Sequence, residues 1–83
     1  MRDYCISFRS ITYGQHGQRV LRQGGINGFL RRTPRWMEEK GCGYCIQVPE
    51  VKGVEAVSLL RREGVTFRKV YWLGGNEPRE VEL

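Results

Sequence analysis

No run of apolar residues in this 83-residue chain approaches the ~18 needed to cross a bilayer, so the sequence marks no membrane helix. Three cysteines are an odd count and too few for a disulfide framework. Met1-Arg2-Asp3-Tyr4 leads straight into a strand-like pattern with no signal-peptide core, so a cytoplasmic chain with reduced thiols is expected. There is no Gly-rich phosphate loop, no pair of acid–base carboxylates at a recognisable spacing and no Ser/His/Asp set. An independent enzyme is therefore not the reading that the residues favour, and no cofactor is called for. Lysine is scarce, with three residues against eleven arginines.

Those arginines give a net charge of +5, and residues 1–73 are more basic still, because Glu77, Glu80 and Glu82 outweigh Arg79 in the tail. Guanidinium groups favour flat, bidentate contacts with phosphate or carboxylate. An anionic partner (RNA, nucleotide or an acidic protein face) fits this, and so does a basic surface that only keeps a small protein soluble.

A short repeat organises the chain. Tyr4-Cys5-Ile6 recurs as Tyr44-Cys45-Ile46; Val20-Leu21-Arg22 followed by Gly25-Ile26 is echoed by Leu59-Leu60-Arg61 followed by Gly64-Val65. Each half reads strand, helix, glycine stop, strand. Tyr4, Ile6 and Phe8 alternate with Asp3, Cys5, Ser7 and Arg9 in the period of a half-buried strand. Ser10 suits a helix N-cap. Gly14 and Gly17 share a helix face with Leu21 and would let that helix approach the sheet closely. A second strand is expected over residues 26–32. A third carries Tyr44, Ile46 and Val48 on one face and Cys45 and Gln47 on the other. The second helix is expected to bury a stripe of Val51, Val54, Val57 and Leu60. A fourth strand over 65–73 completes the domain, and residues 74–83 read as a flexible tail.

The order βαββαβ predicts an α+β, ferredoxin-like two-layer sandwich with sheet order 4-1-3-2 and both helices on one face. About 60% of the unfolded chain's surface would be buried. In that topology the loop after the second strand lies beside the loop after the first, which brings Cys42 toward Arg9, Ser10 and the first helix N-terminus. Gly41 and Gly43 flank Cys42, and Arg31, Arg32, Arg35 and Lys40 lie upstream. Positive charge and free helix amides favour a thiolate. Cys42 is the candidate reactive thiol.

Phe8-Arg9-Ser10, Thr33-Pro34-Arg35 and Cys42-Gly43, in that order, resemble a small bacterial family of selenium/sulfur carrier-like proteins, over residues 4–73. Its members show Phe-Arg-Ser at the first strand end, then Thr-Pro-Arg and a serine-rich link to Cys-Gly. The resemblance implies that Cys42 is the carrier position, holding a persulfide or perselenide, with Arg9, Ser10, Thr33, Arg35 and Gly43 around it. A cysteine desulfurase-type donor and an acceptor protein are the implied partners. Here Trp36-Met37-Glu38-Glu39-Lys40-Gly41 replaces the serine-rich link, and its two carboxylates oppose ionisation of the thiol. Cys45 is an addition to the pattern and a candidate resolving thiol.

Other readings stay open. Cys42 and Cys45 form C-x-x-C, but thioredoxin-like pairs open a helix and this one enters a strand. Zinc would need further ligands from Cys5 and His16, so no metal is expected. Lys40 to Gln47 echoes the aromatic motif of RNA-recognition domains, yet Cys42 and Gln47 stand where aromatic residues should stack. A non-catalytic interaction module, such as a homodimer using Trp36, Tyr71 and Trp72, is the third reading. Cys5 and Cys45 are expected on the sheet face away from the helices, as small apolar filler.

Overall fold

The computed structural model describes residues 3–33, 43–75 and 78–83. Five strands and two helices follow in the order β1 (Asp3–Phe8), α1 (Ile11–Gln23), β2 (Phe29–Arg32), β3 (Tyr44–Pro49), α2 (Gly53–Arg62), β4 (Val70–Trp72) and β5 (Arg79–Val81). Glu50–Lys52 forms a 3-10 turn ahead of α2. The fold is α+β, as expected.

The sheet is antiparallel throughout, in the order β2-β3-β1-β4-β5. It thus differs from the four-stranded 4-1-3-2 sheet that the sequence predicts. Residues 79–81, read as part of a tail, pair with β4 instead, Val70 facing Val81 and Trp72 facing Arg79. Arg79 and Glu80 disguise this strand in sequence, because the outermost strand needs only one apolar contact, which Val81 supplies against the core.

Both helices cover the same sheet face. Ile6, Phe8, Ile46, Val48 and Val70 from the strands meet Val20 and Leu21 from α1 and Ala56, Val57 and Leu60 from α2 in one buried cluster. Ser10 caps α1 as expected, its Oγ accepting from the Tyr13 amide at 3.4 Å. Close packing of α1 depends on two glycines. A Cβ on Gly17 would lie 2.8 Å from Phe8 Cζ, and one on Gly14 2.8 Å from Leu30 Cδ1.

The two helices end in the same way. Gly25 and Gly64 hold positive φ, 83° and 72°. The amide of Gly25 donates to Arg22 O and that of Ile26 to Leu21 O; the amide of Gly64 donates to Arg61 O and that of Val65 to Leu60 O. This crossed pair of bonds is the Schellman closure, with a buried residue following the glycine to pin it. The repeated letters Leu-Arg, then Gly and a β-branched residue, encode this closure twice.

Two expected strand boundaries and one helix stripe shift. The second strand starts at Phe29, not 26, because Ile26 belongs to the cap of α1 and Gly28 O accepts from Gln18 Nε2. The fourth is shortened by a bulge: Ser7 receives the Arg68 amide on its carbonyl and donates its own amide to Lys69 O, so one residue faces two. The α2 stripe is turned away from the Val51–Val54 line. Val51 and Val54 are exposed, while Gly53, Ala56, Val57 and Leu60 face inward, because the 3-10 turn resets the helical phase.

Candidate functional site

The backbone brings the end of β1, the end of β2 and the start of β3 together. Phe8 lies opposite Tyr44 and Arg32 opposite Tyr44 on its other side. The Thr33 amide donates to Gly43 O at 2.9 Å, closing that end. Arg9 and Ser10 follow β1 at the same end; Arg9 is exposed and Ser10 half-buried. Arg9 also lines a cavity of about 200 Å³ with Tyr13, Thr66, Phe67 and Arg68. Of the expected site residues, Arg9, Ser10, Thr33 and Gly43 therefore share one end of the sheet. Cys42 and Arg35, like Trp36, lie outside the described residues.

Cys45 enters β3 two residues after Gly43 and points to the sheet face away from the helices. There it is fully buried with Cys5 and Tyr71, and Leu73 packs against them. The register places Arg31 of β2 directly opposite Cys45, and Ser7 of β1 on the other side. Cys5 faces Gln47 and is thus the diagonal neighbour of Cys45. The face was expected, and so was packing as small buried filler, but Cys45 also has a perturbed thiol.

The electrostatics show why. The Cys45 thiol is lowered from 9.0 to about 6, chiefly by a hydrogen bond from Cys5, opposed by burial, and helped by the hydrogen bond and charge of Arg31 and by Thr33. The Cys45 thiol is thus held below the usual thiol range while screened from solvent. Thr33 Oγ1 is buried with no hydrogen-bond partner of ordinary geometry, although it lies near enough to favour charge on the Cys45 sulfur. Sequence reading missed Arg31 and Cys5 as partners of Cys45. The signal was parity: Arg31 shares a strand face with Thr33, which meets Gly43.

Tyr44 packs on the α1 side, its Cβ 3.6 Å from where a Gly14 Cβ would stand. Cys5, Ser7, Cys45 and Gln47 occupy the opposite face of the two central strands, where base-stacking aromatics would be needed. Of the aromatics considered for an interaction patch, Tyr71 is buried, and Trp72 packs against Tyr4 in a tilted contact with ring centroids 4.9 Å apart. Among the described residues no group of three or more His, Cys, Asp or Glu could hold a metal, and no helix is long and apolar enough to cross a membrane.

No curated protein and no solved structure matches the chain. A family model does, over residues 3–72, which takes in every strand except β5 and both ends of the thiol-bearing face. On that match the chain belongs to the family described as Putative Se/S carrier protein-like.

Proposed function

We propose that this protein carries sulfur or selenium as a persulfide or perselenide on Cys42 and passes it from a desulfurase-type donor to an acceptor. The observation that carries the reading is the Thr33–Gly43 closure, because it sets the residue after Cys42 at the Arg9–Ser10 end of the sheet. Ferredoxin-like order among β2, β3, β1 and β4, with β5 added beside β4, is the scaffold of this reading. The chemistry needs no cofactor. The Cys42 thiolate attacks the outer sulfur of the donor's cysteine persulfide, and the donor's thiolate leaves with the electron pair. An acceptor thiolate repeats the exchange on Cys42. Arginines near the loop offset the developing charge, and Cys45 is the thiol that relieves Cys42 of its cargo.

Incubation with a cysteine desulfurase and free cysteine, followed by alkylation and peptide mass spectrometry, tests this. Extra sulfur is expected on the Cys42 peptide and none in Cys42→Ala; Cys45→Ala is expected to lengthen its stay on Cys42. Absence of transferred sulfur would leave the chain an interaction module.

A further inference from the structure

The two described polar side chains that are buried behave differently. Ser7 is fully engaged: its Oγ donates to Lys69 O at 3.2 Å and accepts from the Lys69 amide at 3.1 Å. Thr33 Oγ1 is buried with no partner at ordinary hydrogen-bond geometry, and the Cys45 sulfur is the group it favours. An unpaired buried hydroxyl is unfavourable, and valine would fill the same shape without that loss. The hydroxyl lies beside Cys45, which also has the guanidinium of Arg31 directly opposite and the Cys5 thiol diagonal to it. Arg31 itself is exposed. A cavity of about 560 Å³ opens next to it, lined in part by Asp3, Phe29, Gln47 and Pro49. A buried hydroxyl and a cation converge on one sulfur, and the cation also borders open space.

We propose that Cys45 is a second sulfur-holding position, which takes the outer sulfur or selenium atom from Cys42 and keeps it as a persulfide or perselenide anion bonded by Thr33 and countered by Arg31. The inference deepens the carrier reading and rests on it for the donor. Cys45 lies three residues beyond Cys42, within roughly 10 Å of extended chain. When local opening of the sheet exposes the buried Cys45, its thiolate attacks the outer atom of the Cys42 persulfide, forming a bond from Cys45 Sγ to that atom. The bond from Cys42 Sγ breaks, and its electron pair leaves as the Cys42 thiolate. No oxidant or reductant enters. A buried anion needs a partner charge and hydrogen bonds, which Arg31 and Thr33 supply. Cys5 acts as a positioning residue through its hydrogen bond to Cys45.

Two loadings of the full chain test the proposal: a desulfurase with free cysteine, and inorganic polysulfide applied to Cys42→Ala. Fragment ions that separate Cys42 from Cys45 report the position of the extra sulfur. In the first, sulfur is expected on Cys42 and then on Cys45; in the second, on Cys45 directly. Arg31→Met and Thr33→Val are each expected to shorten the stay on Cys45 several-fold, and Thr33→Ser to restore it. Sulfur that remains on Cys42 overturns the second position and leaves the carrier reading intact. A Cys42–Cys45 disulfide with release of hydrosulfide likewise overturns it. If the desulfurase loads neither thiol, the carrier reading fails, and the polysulfide experiment alone decides whether Cys45 holds sulfur.

Discussion

Ile6 of β1 stands directly opposite Ile46 of β3, and the two halves of the chain run away from that pair in antiparallel copies. One step along each strand lies a cysteine, Cys5 before Ile6 and Cys45 before Ile46. The repeated Tyr-Cys-Ile therefore places two thiols diagonally across the centre of one sheet face, and local symmetry ends there. Cys45 faces Arg31, whereas Cys5 faces Tyr71 on its outer side. One of two equivalent cysteines thus gains a cation.

That difference has a pH signature. The folded Cys45 thiol titrates near 6 and the unfolded one near 9. Its contribution to stability is complete above the unfolded value, declines as pH falls through this window and is gone below the folded value, with a slope of up to about 1.4 kcal/mol per pH unit. Urea midpoints of the wild-type protein should rise from pH 6 to pH 9 more than those of Cys45→Ser. Thiolate absorbance should titrate near pH 6 and move upward in Arg31→Met.

Gly17→Ala should destabilise the fold by about 1–3 kcal/mol, since the methyl meets the fully buried ring of Phe8. Gly14→Ala should be close to neutral. Its contact is the terminal methyl of the half-buried Leu30, which can yield, and alanine is favoured over glycine in a helix by about 1 kcal/mol. Chemical denaturation of both variants separates the two outcomes.

Gly25→Ala and Gly64→Ala meet no atom within 4 Å, so any loss comes from the backbone alone. Each should cost about 1 kcal/mol through positive φ. Equal losses at both positions would show that the two helix closures are energetically equivalent; thermal denaturation measures them.

Alkylation should distinguish ionisation from access. Cys42 should react near neutral pH faster than Cys5 or Cys45, both fully buried. Reaction at Cys45 must await opening of the sheet. Its rate should therefore increase in Gly17→Ala, while that of an already accessible thiol should not; peptide mapping after timed quenching reads both.

Much of this molecule is written in short-range signals. Ser10 before α1, and Gly25 and Gly64 after the helices, act on backbone a few residues away, so their letters reveal them. Val51 misled because a 3-10 turn, which no periodicity announces, offsets the phase of α2. β5 was hidden because pairing with β4 comes from backbone, while Arg79 and Glu80 present charge outward. At the site, the shared sheet end of Ser10, Thr33 and Gly43 followed from element order. The pairing of Arg31 with Cys45 depends on register across a connection, which residue types do not fix.

The interleaved strand order also governs how the chain can fold. β1 and β2 belong to the first half but are separated in the sheet by β3. In the second half, only the three-pair ladder of β4 and β5 joins neighbours. The β1 ladders to β3 and β4, at the centre of the sheet, must therefore await contact between segments distant in sequence, which slows the search and makes it cooperative. A fragment ending at Thr33 and one beginning at Gly43 should each be largely unstructured alone, and should acquire structure only in each other's presence.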